Sequence, residues 1–302
     1  LAVFGLRKKL KPNSVIKASV ITNQIIGGED RFRPEGLMSD TTERQEEIRT
    51  PVLTARNVVR RFGGLVAVNN VSFDVRPGEI LGLIGPNGAG KTTMFDLLAG
   101  SILPTSGEIR LNSTLVSGEA AHRRIGRGLG RTFQIPRPLP NLTLIENVML
   151  AAQGQAGERL LANFLTPRRV ATEERAAETR AIELLELVTL ARLAHEPARV
   201  LSGGQRKLLE LARVMMADPA IILLDEPAAG VNATLLEVII DRIRDINRSG
   251  ITFLLIEHNI DMVTRLCHRV LVMASGQLLC EGSPDEVARD PRVIEAYLGG
   301  AA

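Results

Sequence analysis

Eight residues, GPNGAGKT from Gly85 to Thr92, constrain this chain more than any other stretch. They satisfy GxxxxGK[ST] directly after the apolar run EILGLI and directly before TTMFDLLAG, which reads as a helix. Glycine lets the backbone curl so that its N–H groups converge on phosphate oxygens. The helix that follows adds its positive N-terminal end. Gly85, Pro86, Asn87, Gly88, Ala89, Gly90, Lys91, Thr92 and Thr93 are therefore candidates for a phosphate cradle. In it Lys91 would reach the β- and γ-phosphates and the Thr92 hydroxyl would ligate Mg²⁺. The rival is a glycine-rich turn that matches by chance, and the strand before and helix after it argue against that. The pattern implies a bound nucleoside triphosphate.

Composition narrows the setting. A net charge of +3 over 302 residues gives nucleic-acid binding no bulk electrostatic support. Aromatic residues make up 3% with no Trp, which argues against a base-stacking surface. Cys267 and Cys280 fit neither a zinc pattern nor a CxxC pair, and read as two reduced thiols of an intracellular protein. No stretch approaches the roughly 18 apolar residues that cross a bilayer. A role at a membrane would need a partner.

Residues 1 to about 50 stand apart. LRKKLKPNSVIK is basic without any acid, SDTTERQEEIRT is polar, and neither sustains an apolar period. The segment reads as a poorly ordered extension. With Leu1 first and Met38 ahead of a polar leader, one reading takes Met38 as the natural start; another takes a basic arm that touches anionic lipid. From Pro51 the pattern is regular. VLTARNVVRRF and LVAVNNVSFDV predict antiparallel strands joined at Gly63-Gly64. EILGLIG, AIILLD and ITFLLIEH predict strands buried on both faces. GEIRLNS predicts another strand, residues 142–217 are helix-rich, TLLEVIIDRIRDINR is helical, and RVLVMASGQLLCEGS predicts a hairpin turning at Ser275-Gly276.

IILLDEP ends a buried strand on two acids. Side chains alternate along an extended backbone, so Asp225 and Glu226 are expected to point apart. Asp225 is assigned to the metal and Glu226 to the attacking water, as general base or orienter. His258 closes a neighbouring apolar run, where ligands of doubly wound sheets gather, although a lone His is commonly structural. Gln134 lies in a Pro-rich loop, and its uncharged amide suits a residue that senses both a water and Mg²⁺. Arg123, Arg124, Arg127 and Arg131 precede it and read mostly as a solvated face.

A second glycine motif, LSGGQRK from Leu201 to Lys207, opens the helical QRKLLELARVMM. Ser202 can donate a hydroxyl, Gly203 and Gly204 permit close backbone approach, and the helix end favours an anion. Leu208, Leu211, Ala212 and Met215 fall at helical spacing for docking. One chain thus carries two phosphate motifs.

In their order along the chain, the phosphate loop, Gln134, LSGGQ, LLDEP and His258 resemble the nucleotide-binding subunit of an ABC transporter. The resemblance runs from about Val52 to Ala301. It implies an α/β P-loop NTPase fold, a RecA-like core with an antiparallel β subdomain and an inserted helical subdomain at about residues 135–217. It implies that Phe62 stacks on adenine, the rival being a core residue. It also implies that Ser202, Gly203, Gly204 and Gln205 meet the γ-phosphate of ATP held by a second ATPase subunit, identical or not. Glu226, His258 and Gln134 would be catalytic; Thr92, Gln134 and Asp225 would hold Mg²⁺.

RTFQIPRPLPNLTLIENVMLAA, LLDEPAAGVN, LLIEHN and VIEAYLGG resemble the Liv-type ATPases of branched-chain amino-acid importers. The expected protein then sits peripherally on the cytoplasmic face of the cell membrane. It would work with transmembrane permease subunits, which dock around Gln134 to Ile145, and indirectly with a solute-binding protein. The alternatives are an ABC ATPase of lipid or lipopolysaccharide export and a soluble ABC ATPase acting on ribosomes or DNA. Three departures stand out: Asn232 in place of Asp, Ala233 in place of Pro, and Asn259 in place of Asp after His258.

Overall fold

The apolar runs become the central layer. In the computed structural model, which describes residues 50–132, 136–154 and 167–298, β3 (Ile80–Ile84), β7 (Ile221–Asp225) and β8 (Thr252–Ile256) are buried along their whole length. They lie in a six-stranded sheet of order β10-β9-β3-β8-β7-β6, completed by β6 (Leu129–Arg131), β9 (Arg269–Ala274) and β10 (Gln277–Gly282). Pairing is parallel from β9 through β6; only β10 runs antiparallel, as the second arm of the hairpin turning at Ser275-Gly276.

Side-chain alternation divides each central strand between two cores. Leu81, Leu83, Leu223, Leu254 and Leu271 face one core. It holds α1 (Lys91–Ala99), through Met94, Phe95, Leu97 and Leu98, and a second, antiparallel sheet. That sheet has order β2-β1-β4-β5, from β1 (Leu53–Phe62), β2 (Leu65–Val75), β4 (Ser106–Leu111) and β5 (Thr114–Leu115). Ile80, Ile84, Ile222, Leu224, Phe253 and Leu255 face the other core. Truncating any one of these side chains to Ala would cost roughly 2–5 kcal/mol.

Helices build the second core. After α2 (Ala121–Ile125) come α3 (Leu144–Met149), α4 (Pro167–Leu187) and α5 (Gly203–Met215). Leu208, Leu211, Ala212 and Met215 of α5 are all buried, at the spacing the sequence predicts. α6 (Ala233–Arg248) buries Ile239, Ile240, Ile243 and Ile246. α7 (Ile260–Leu266), α8 (Pro284–Arg289) and α9 (Pro291–Leu298) close the chain.

The arginine cluster corrects the sequence reading. Arg123 and Arg127 are exposed, but Arg124 is completely buried and Arg131 half-buried. Arg124 donates from one terminal nitrogen to the Leu97 and Leu98 carbonyls, both at 2.7 Å, so it closes the C-terminal end of α1. Its Nε reaches the Glu119 carbonyl at 3.1 Å and its other terminal nitrogen the Ser117 carbonyl at 3.3 Å. A cation at a helix C-terminus is favoured by the exposed carbonyls, and burial pulls the Arg124 pKa down to about 10. The two cysteines are free thiols. The expected extension, residues 1 to about 50, lies outside the described residues except for Thr50.

Candidate active site

Gly85 leaves β3 at φ +147°, and a Cβ there would lie 2.0 Å from the Met273 carbonyl oxygen. Gly90 has φ +96°, and its Cβ would fall 2.4 Å from the Ala67 carbonyl oxygen. Both positions admit only glycine. At Gly88, φ +78°, nothing lies within 4 Å, so the loop is open on that side. Asn87, Gly88 and Thr92 are exposed, Pro86 and Thr93 half-buried and Ala89 buried.

The loop is built for an anion. Thr143, Ser202, Asn232, Asn259 and Ser283 each cap a helix, with a side-chain oxygen that accepts a first-turn amide. α1 starts on Gly90, with no side-chain cap and no acid in its first turn. α2 also lacks a side-chain cap, but α1 directly follows the glycine loop, so its leading amides are open to a phosphate held there. Lys91 is buried, with Nζ 2.7 Å from the Gly85 carbonyl oxygen and 3.0 Å from that of Pro86. Burial lowers its pKa while the Glu226 carboxylate acts in the opposite direction. β2 passes against this loop at Ala67, at the hairpin end that carries Phe62. Phe62 is 44% exposed, which excludes the core reading, and the Arg60 guanidinium lies 4.5 Å from its ring centroid.

Asp225 ends β7 nearly buried, 3.6 Å from a terminal nitrogen of Arg131. Arg131 also binds Asp96 of α1 at 2.7 Å and so ties the carboxylate to the helix behind the loop. Burial raises the Asp225 pKa despite Arg131. An under-compensated buried carboxylate suits a hard cation. Among the described residues no three His, Cys, Asp or Glu side chains cluster as a metal site. The expected donors, Thr92 and Asp225 with Gln134, are instead a sparse oxygen set of the kind Mg²⁺ takes when substrate phosphates and waters complete its shell. Thr92 and Asp225 fit that ion by donor type. Gln134 itself lies outside the described residues.

Glu226 departs from the alternation expected of a strand. The extended run stops at Asp225, and Glu226 has φ +47°. Its direction is set by a left-handed turn rather than by the pleat. Glu226 Oε1 lies 3.3 Å from His258 Nε2. The register explains the meeting: Asp225 pairs with Ile256, so both chains leave the sheet side by side.

The second glycine motif forms a capping box. Ser202 Oγ accepts the Gln205 amide at 3.3 Å, and Gln205 Oε1 accepts the Ser202 amide at 3.0 Å. Ser202 and Gly203 are exposed. Gly204 is buried for a reason the sequence did not suggest: a Cβ there would sit 2.2 Å from Leu235 Cδ2 of α6. The three departures are explained locally. Asn232 and Asn259 cap α6 and α7, bonding Leu235 N at 2.9 Å and Met262 N at 3.0 Å. Ala233 opens α6, at a position that tolerates Pro but does not require it.

Two charged residues here escaped the sequence reading. Lys207 Nζ donates to the carbonyls of Glu226 at 2.7 Å and Pro227 at 3.2 Å. Glu257, 2% exposed, accepts the amides of Ala228 at 2.6 Å, His258 at 3.0 Å and Asn259 at 3.1 Å. The available signal was a charge beside an apolar stripe: Lys207 before Leu208, and Glu257 directly after FLLI.

Residues 68–229 match the ABC transporter family model, and residues 277–302 match that of the branched-chain amino acid ATP-binding cassette transporter. The high-affinity branched-chain amino acid transport ATP-binding protein BraF of Pseudomonas aeruginosa is 38% identical over 254 residues, 83% of this chain and 99% of that protein. A nucleotide-free ATP-binding cassette from an ABC transporter superposes with a TM-score of 0.72 at 33% identity, over 82% of this chain and 99% of that one. A dimeric bacterial ABC transporter cassette gives 0.63 at 26%, over 77% and 98%. By these matches the chain belongs to the ABC transporter family of ATP-binding proteins, in the branch of the branched-chain amino acid transport ATPases.

Proposed function

We propose that this chain hydrolyses ATP to power a branched-chain amino-acid importer and works as one of two ATPase subunits against transmembrane permeases. The 3.3 Å approach of His258 to Glu226, beside a loop shaped for phosphate, carries the reading. Phe62 offers an exposed ring to adenine. Lys91 and the α1 amides hold the β- and γ-phosphates. Glu226 takes the proton of the attacking water or orients it, and His258 holds the far side of the γ-phosphate. Thr92, Asp225 and Gln134 would hold Mg²⁺, which would supply charge neutralisation at the phosphates.

Ser202, Gly203 and Gln205 present a preformed helix end to the nucleotide of the second subunit, with Gly204 packed behind them. ATP then favours the closed pair, because its contacts differ between open and closed states. A cleft lined by Leu150, Ala151, Arg213 and Val214 joins Arg137, in the segment expected to meet the permease, to Arg131 and Asp225 of the nucleotide site, and so offers a docking groove coupled to that site. Among the described residues no helix is long and apolar enough to cross a membrane. By its likeness to transport ATP-binding proteins, the ATPase would sit peripherally at the cytoplasmic face, and a solute-binding protein would deliver the amino acid from the other side.

Glu226→Gln tests the reading. It is expected to bind Mg-ATP, turn over at least a hundredfold more slowly and accumulate as a dimer on size-exclusion chromatography. Monomeric elution at saturating Mg-ATP, with and without permeases, would overturn the paired mechanism.

A further inference from the structure

The turn that carries Glu226 is held from both sides by charged side chains. Glu226 is left-handed, a backbone state that is unfavourable for a non-glycine residue and persists only where its surroundings impose it. Its own amide donates to the Ile256 carbonyl at 3.0 Å, and its carbonyl also accepts the Ala229 amide at 3.1 Å. Pro227 has no N–H. The Glu226 and Pro227 carbonyls receive the Lys207 ammonium, and the Ala228 amide goes to the Glu257 carboxylate. Cation on carbonyls and anion on amide match the polarity of the backbone, and both bonds are charge-assisted. Glu257 also fixes the His258 and Asn259 amides, so one carboxylate ties both halves of the Glu226–His258 pair.

We infer that Lys207 and Glu257 are positioning residues that clamp the Glu226 turn and so aim its carboxylate toward His258. This rests on the reading of Glu226 as the water-activating group. Lys207 stands five residues beyond Ser202 on α5, roughly 7.5 Å along the helix axis. A rigid shift of α5 therefore pulls on the Glu226 carbonyl.

The test uses Lys207→Met, Lys207→Arg and Glu257→Gln. In nucleotide-free protein, hydrogen exchange at Ala228 and Ala229 should be about tenfold faster in Lys207→Met and in Glu257→Gln than in wild type. With ATP, Lys207→Met should lose about ten- to a hundredfold in kcat while ATP affinity stays within about threefold, and Lys207→Arg should recover most of the loss. In a Glu226→Gln background Lys207→Met should add less than about twofold, because its effect passes through Glu226. Unchanged exchange, or an equal kcat loss in both backgrounds, overturns the clamp. Wild-type turnover in Glu226→Gln alone overturns the role of Glu226 instead, and the exchange measurement still decides the clamp. Should Lys207→Met not fold, Glu257→Gln, which keeps side-chain size, supplies the same comparisons.

Discussion

His258 Nε2 stands 3.3 Å from Glu226 Oε1 although 32 residues separate them, because β7 and β8 run side by side and end together. The imidazole is the more exposed of the two, 42% against 21% for the carboxylate. His258→Ala should therefore lower kcat roughly a hundredfold and leave ATP affinity within a few-fold, measured by steady-state hydrolysis and equilibrium binding. A large affinity loss with unchanged kcat would instead place His258 in ground-state binding.

ATP affinity should fall at alkaline pH. Burial holds the Lys91 pKa below its usual 10.5 in the free protein, and phosphates beside it raise it again. Binding then takes up a proton in the window between the two values. Affinity should be flat near neutrality and weaken by up to about tenfold per pH unit as pH rises through the lowered pKa. Titrations of Lys91→Met should be much weaker and should lack this slope.

Arg124→Met should destabilise the fold. It removes a buried cation from four carbonyl oxygens, those of Leu97, Leu98, Ser117 and Glu119. The loss should be roughly 2–4 kcal/mol, which lowers Tm by roughly 5–12 °C in calorimetry. Arg123→Met, one residue away and exposed, should change Tm by less than about 2 °C.

Gly204→Ala should push α5 away from α6, because the new methyl meets Leu235. We expect a loss of about 1–2 kcal/mol by denaturant unfolding. Leu235→Ala in the same chain should relieve the clash and return part of that stability. A loss that Leu235→Ala leaves untouched would mean that contact with Leu235 is not what requires glycine at this position.

The strands were legible because burial on both faces demands continuous apolar runs; EILGLI, AIILLD and ITFLLI could be little else. The phosphate loop was legible because its glycines, lysine and threonine act through local backbone geometry. Arg124 was not. The spacing of Arg123, Arg124 and Arg127 says that charges are near one another, but which guanidinium turns inward depends on where α1 ends in space. Glu226 failed for a related reason: alternation holds only while the strand lasts, and the turn begins one residue before the sequence alone suggests. Lys207 and Glu257 act on backbone atoms distant in sequence or hidden in a turn, so no local pattern announces them.

The missing cap on α1 has a consequence for the life of the protein. The five helix starts sealed by a side chain need no ligand, whereas the leading amides of α1 would gain partners when a phosphate binds. At a hundred times its dissociation constant such a ligand adds about 2.7 kcal/mol to durability. A copy with an empty phosphate loop would therefore be the less durable form, and filling the loop with any nucleotide would restore the difference.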